Sequence, residues 1–223
     1  MERSDYNATT RMEPAFPHQC LIYDGAPSQQ LTAMAQVLRA KLSQNHRCLY
    51  LNSPPMVAGL RSYLAAAGVD VTQELARGSL VLSSEQTHLA DGRFEIDRMM
   101  ETLHSAVIRA LLDGYAGLWA TGDMTWEMGP ERNFSKLLEY EWRLEEFMRA
   151  HPAMSGICQY HASTLPREAL RHALLSHAGI FINETLSRIN PHYLSRAAFT
   201  PEAAQSHEID AALSLYAGGA GAV

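Results

Sequence analysis

The chain has 223 residues and lacks the features that mark several common protein classes. It contains only two lysines, no cluster of basic residues, and a formal net charge of -6. A nucleic-acid surface needs a basic stripe that displaces counterions from phosphates. No run approaches the roughly 20 apolar residues that span a bilayer, and the start lacks the apolar core of a signal peptide. We therefore expect a cytoplasmic protein that contacts neither nucleic acid directly nor a membrane.

Cysteine is scarce as well. The three cysteines, Cys20, Cys48 and Cys158, cannot all pair, and each lies within an apolar run. This pattern is typical of buried, reduced thiols. The sequence gives no reason to expect a cofactor.

Five apolar runs each stop at a small polar cluster: CLIYDG at 20–25, CLYLNS at 48–53, LVLSSEQ at 80–86, LWATGD at 118–123 and GICQYH at 156–161. Helical patterns separate them, so they read as buried parallel strands. The predicted fold is α/β, with a largely parallel sheet flanked by helices in three layers. We expect a disordered lead-in at 1–16, one domain at 17–200 and a C-terminal tail at 201–223.

Ligands of such folds bind at the carboxyl ends of the strands. Polar and aromatic side chains that end these runs, or follow them, could form a concave, mostly apolar site with few polar anchors. The predicted ligand-binding residues are Tyr23, Asp24, Asn52, Asp123, Trp126, Tyr160 and His161. Two other interpretations stay open: Asp123 is a turn cap, and Trp126 packs beneath a loop.

The turn after the first predicted strand, DGAPS at 24–28, argues against ATP hydrolysis. A phosphate-binding loop needs closely spaced glycines, a lysine and a Ser/Thr for magnesium. This turn has one glycine, a proline that removes a donor, and an acid that repels phosphate. Neither lysine lies in it.

A metal or haem site is an alternative. His18 and Cys20 are two apart on a strand and point to the same face, and histidines follow Cys158. No C-x-x-C or H-E-x-x-H spacing is present, and a strand histidine near a cysteine is more often a hydrogen-bonded core residue. The candidate metal ligands are His18, Cys20, Cys158, His161 and His177.

Several short motifs in a fixed order resemble the MEDS family, the sensory domain named for methanogens, methylotrophs and the dichloromethane regulator DcmR. They are His18-x-Cys20 with Tyr23-Asp24, RCLYL at 47–51, TGDMTW at 121–126, LLEYEWRLEEF at 137–147, CQY at 158–160, His177 and NPHY at 190–193. The resemblance implies a non-catalytic input domain with a RecA/KaiC-like fold that has lost its phosphate loop. It also implies sensing of small molecules such as hydrocarbon derivatives, and a histidine kinase or transcription regulator as partner.

The leading hypothesis is therefore a sensory domain that binds a small organic molecule, and whether it forms a homo-oligomer is left open. One rival is a protein-interaction module that uses an acidic surface on helix 133–150. That surface would consist of Glu139, Glu141, Glu145 and Glu146. The second rival is the metal- or haem-dependent protein described above.

Overall fold

The computed structural model describes residues 16–205 and 207–218. The predicted disordered lead-in lies outside the described residues, apart from Phe16. Within the described ranges, no helix is both long enough and apolar enough to cross a membrane.

The described residues form a seven-stranded sheet in the order β3-β2-β6-β7-β1-β8-β9. Its strands are β1 (His18–Tyr23), β2 (His46–Leu51), β3 (Leu80–Ser83), β6 (Gly117–Asp123), β7 (Met154–His161), β8 (Gly179–Asn183) and β9 (Leu186–Ile189). In this order, each strand from β3 to β8 is parallel to its neighbour, and β9 is antiparallel to β8. Two short strands, β4 (Leu89–Ala90) and β5 (Arg93–Phe94), form a separate antiparallel pair. All five predicted strands are confirmed.

Helices flank this sheet, as predicted. They are α1 (Leu31–Ser43), α2 (Pro54–Ala66), α3 (Val71–Arg77), α4 (Ile96–Leu112), α5 (Met124–Glu127), α6 (Leu137–Ala150), α7 (Arg167–Ser176), α8 (Pro201–Ala204) and α9 (His207–Gly218). A short 3₁₀ helix, Phe134–Lys136, precedes α6. The α/β architecture with a largely parallel sheet is therefore confirmed.

Side chains alternate between the two faces of the sheet and build two cores. On one face, which we call the α6 face, Cys20 and Cys158 pack with residues of α4, α6, α7 and α9. On the other, the α1 face, Cys48 and Trp119 pack with residues of α1 and α2 and with Val71 of α3. Because neighbouring strands are in register, residues paired across the sheet share a face.

One local feature goes beyond the sequence-based expectation. The segment predicted as a C-terminal tail contains α8 and α9, and Ile209 and Leu213 of α9 join the core of the α6 face. These two apolar side chains, one helical turn apart, explain why α9 packs against the domain.

Candidate functional site

Three of the predicted ligand-binding residues meet where the strands end. The Tyr23 hydroxyl donates a hydrogen bond to Asp123 Oδ2 over 3.2 Å, and the Tyr23 and His161 rings lie 5.0 Å apart. Asp123 Oδ1 accepts from the Trp126 backbone N–H at 3.0 Å, which caps α5. Burial raises the pKa of Asp123, although hydrogen bonds from Trp126 and Tyr23 oppose the rise. We call Tyr23, Asp123 and His161 the strand-end cluster.

Other predicted residues surround this cluster and have partners of their own. Asp24 accepts a hydrogen bond from the Ser163 hydroxyl, which lowers the pKa of the Asp24 carboxyl. Asn52 is buried, and its amide donates to the Tyr50 hydroxyl at 3.0 Å. His161 contacts the Gly25 carbonyl at 2.8 Å. These contacts brace the strand ends.

Tyr160 lies on the opposite face from His161, because consecutive strand residues point to opposite sides. It is fully buried, and its hydroxyl donates to Glu141 Oε1 at 2.5 Å. The structure therefore separates Tyr160 from the strand-end cluster and places it beside a different group of polar side chains.

That group lies between the sheet and α6. His18 comes from β1, Glu141 from α6 and Cys158 from β7, and His177 follows α7. One donor atom from each of the four lies within 4.8 Å of the others, and all four residues are buried. We call these four residues the buried cluster.

Glu141 Oε2 lies at the centre of the contacts in the buried cluster. It is 3.2 Å from His18 Nε2, 3.4 Å from His177 Nε2 and 3.5 Å from Cys158 Sγ. Cys158 Sγ also lies 3.4 Å from His18 Nε2. The second ring nitrogen of His18, Nδ1, is 3.1 Å from Glu145 Oε2.

Burial and neighbouring charges act in opposite directions on these groups. Burial alone lowers the pKa of His18, but hydrogen bonds to Glu141 and Glu145 raise it to about 8. Burial, together with the nearby His18, lowers the pKa of His177 to about 4. The pKa of Glu141 falls despite burial, because His177 and His18 favour its ionised form. His18 therefore favours its protonated form and Glu141 its ionised form.

Two members of this environment were misjudged from the sequence. Glu141 and Glu145 were assigned to an acidic interaction surface, but they are only 0% and 4% exposed. Only two of the four glutamates of that proposed interaction surface are therefore left to contact a partner protein. The available signal was their spacing: they stand four apart within the apolar stripe of α6, next to Leu137, Leu144 and Met148. Of the predicted metal ligands, Cys20 and His161 are not among the four residues that come together.

A groove of about 740 Å³ is present in the described part of the chain. It lies on the α6 face between α4 and the strands β2 and β3, where Val81 of the edge strand remains 37% exposed. Its apolar lining includes Leu49, Leu51, Val81, Met99 and Leu118. Charged or titratable side chains also line it: Arg47, Glu85, His88, Arg98, Glu101 and Arg109. None of these residues is among the seven predicted ligand-binding residues.

The groove connects to the strand-end region through two hydrogen bonds. His88 Nε2 lies 2.8 Å from the Glu127 carbonyl, and Gln86 donates to the Trp126 carbonyl at 2.6 Å. The His88 and Trp126 rings are 5.5 Å apart. Trp126 therefore lies between the groove and Asp123.

One comparison with known proteins identifies the family of the chain. The family model MEDS, described as the methanogen/methylotroph DcmR sensory domain, matches residues 17–178. No curated protein matches the chain. The matched residues run from β1 to the end of α7 and include the strand-end cluster, the groove and the buried cluster. The chain belongs to the MEDS family of sensory domains.

Proposed function

We propose that this sensory domain is not an enzyme and binds a small organic molecule in the groove beside α4. Ligand binding then alters the conformation of the domain, and a histidine kinase or a transcription regulator responds to that conformational change. The observation that carries the proposal is the groove itself. Its volume of about 740 Å³ falls within the range of roughly 300–1,000 Å³ that holds small ligands.

The groove chemistry favours a ligand with an apolar body and a polar end. Leu49, Leu51 and Val81 offer apolar surface to the body. Among the described residues, Arg109 has no ion-pair partner, which leaves its charge available for an anionic group. A hydrocarbon derivative with an acidic group has both features.

The turn after β1 supports a non-catalytic role. Where a nucleotide-hydrolysing relative of this fold would present backbone N–H groups to phosphate, this chain carries Asp24, hydrogen bonded to Ser163. The carbonyl of Gly25 in the same turn contacts His161. A RecA-like sheet without a phosphate loop suits binding without turnover. The three cysteines are free, which suits the cytoplasm.

The ligand signal would travel through contacts at the end of the groove. A ligand shifts a conformational equilibrium only when it makes different contacts in the two states. His88 lines the groove and contacts the Glu127 carbonyl, while Gln86 holds Trp126. A ligand against His88 would therefore change the ordering of residues 121–133, which lie next to the strand-end cluster.

Binding of an anionic aromatic probe, 8-anilinonaphthalene-1-sulfonate, tests the groove. We expect saturable fluorescence enhancement that is lost in Val81→Glu, which places a charge on the apolar lining. Leu112→Glu is the matched control, because Leu112 is 81% exposed and does not line the groove. Equal probe binding by both variants and the unsubstituted protein would rule out the groove as the binding site.

A further inference from the structure

We propose that the buried cluster binds a divalent transition-metal ion, for which Zn²⁺ is the best chemical match. The site is separate from the groove, because none of its four residues lines that cavity. Two imidazoles, a thiolate and a carboxylate are all common zinc ligands. The proposal does not depend on the proposed function.

Four of the six distances between the donor atoms are close to those of tetrahedral coordination, and all six are within 4.8 Å. Ligands bound to zinc at about 2.0–2.3 Å in a tetrahedron stand about 3.3–3.8 Å apart. Glu141 Oε2 lies 3.2 Å and 3.4 Å from the two histidine Nε2 atoms, and 3.5 Å from Cys158 Sγ. Cys158 Sγ and His18 Nε2 are 3.4 Å apart. Small side-chain adjustments would place an ion among them.

His177 provides an independent indication of a missing positive charge. Its Nδ1 lies 2.9 Å from the Ala173 carbonyl, which can only accept, so Nδ1 carries a hydrogen. In the neutral ring, Nε2 then presents a lone pair toward Glu141 Oε2, 3.4 Å away. This buried Nε2 has no hydrogen-bond partner among the described residues. A cation between the two atoms would satisfy both.

The partners behind the donors are those that usually orient metal ligands. A metal-bound histidine commonly donates its other ring N–H to a carboxylate or a backbone carbonyl. His18 Nδ1 faces Glu145 Oε2, and His177 Nδ1 faces the Ala173 carbonyl. The Tyr160 hydroxyl donates to Glu141 Oε1, so Glu141 Oε2 points toward the centre of the buried cluster. Both imidazoles are thus positioned with Nε2 as the donor.

Charge balance also favours a divalent ion. The Cys158 thiol and the protonated His18 ring, at its Nε2, would each release a proton to solvent on binding, because a metal binds the thiolate and the neutral imidazole. The resulting thiolate and the Glu141 carboxylate would neutralise a divalent ion, so no net charge remains buried. Glu145 has its own counter-ion, since Arg149 lies 2.8 Å away. The ion would join β1, α6, β7 and the end of α7, and would therefore stabilise the fold.

Metal analysis of the purified protein tests the proposal. We expect about one zinc ion per chain, with all four coordination positions taken by protein. Removal by a chelator should lower the unfolding temperature, and added Zn²⁺ should restore it. Co²⁺ in place of zinc should give the intense visible absorption of tetrahedral cobalt together with a thiolate-to-metal charge-transfer band.

Variants locate the ion within the cluster. Cys158→Ser should weaken zinc binding at least about 100-fold and abolish the charge-transfer band. Cys48→Ser is the matched control, because Cys48 is equally buried but packs on the α1 face. Tyr160→Phe keeps all four donors and should weaken binding about 10–100-fold, since Glu141 loses its orienting partner.

Defined results would overturn the metal site. The inference fails if the unsubstituted protein contains no transition metal and, given Zn²⁺ or Co²⁺, shows neither a thermal shift nor a thiolate band. It also fails if Cys158→Ser binds zinc as tightly as the unsubstituted protein. If Cys158→Ser does not fold, the chelator and cobalt measurements on the unsubstituted protein still decide. Probe binding in the groove is measured separately, so each idea can fail alone.

Discussion

Replacement of Gly122 by alanine should destabilise the protein severely, because a buried carboxyl group occupies the space that a methyl group would need. A Cβ atom at Gly122 would lie 1.6 Å from Glu127 Oε1 and 2.8 Å from its carboxyl carbon. Glu127 is only 3% exposed, and the Tyr140 hydroxyl lies 3.4 Å from its other oxygen. The carboxyl group therefore has little room to move.

The size of the effect follows from the overlap. Overpacking of a close-packed core usually costs about 1–3 kcal/mol, and an overlap this deep belongs at the upper end. If Glu127 rotates away, it also loses its contact with Tyr140, which adds about 1 kcal/mol. We therefore expect Gly122→Ala to lower the free energy of unfolding by about 3–4 kcal/mol, measured by urea denaturation at neutral pH.

Two further variants make this test specific. Gly59→Ala makes the same change inside α2, where the new Cβ would meet only the end of the Leu31 side chain, at 2.9 Å. We expect a change within about 1 kcal/mol, because alanine favours helix and a side-chain end can move. Glu127→Ala should relieve the clash, with a coupling of about 2–3 kcal/mol in the double-mutant cycle. A Gly122→Ala protein as stable as the parent, or no relief from Glu127→Ala, would refute the reasoning.

Two more predictions concern buried polar groups. Asn190→Ala should lower the free energy of unfolding by about 3 kcal/mol in denaturation experiments, because the Asn190 amide donates to the Leu174 and His177 carbonyls at 2.6 and 2.7 Å. A loss below about 1 kcal/mol would contradict this. Burial lowers the pKa of His88 from 6.5. The unfolded chain then binds a proton more readily, so stability should fall as pH drops below about 6.5. NMR titration should give a His88 pKa below 6.5, and His88→Gln should flatten this part of the stability profile; an unchanged slope would count against it.

Local patterns in the sequence predicted the framework well. All five apolar runs form strands, and their boundaries shift by at most three residues. The strand β9 was not predicted, because its four residues are mostly exposed and carry no apolar run. Among the site residues, Tyr23, Asp123 and His161 were predicted to lie together, and the structure brings them together because parallel strands end at one edge. Whether they bind a ligand stays a prediction.

The groove and the buried cluster could not be predicted in the same way. Val81 reads as a core residue in its strand, and only the position of β3 at the edge of the sheet leaves it open to the groove. The position of Glu141 in the apolar stripe of α6 indicates burial, but it does not show which side chains Glu141 meets. His18 is brought beneath α6 by the pairing of β1 with β7.

The sequence by itself determined the alternation of strands and helices and the two apolar faces of the sheet. Both follow from spacing along a few residues. Only the tertiary structure decided which polar groups meet, since Cys158 and His18 are 140 positions apart, yet their side chains lie 3.4 Å from each other. That contact depends on the strand order of the sheet, and strand order is set by packing between distant segments rather than by any local period.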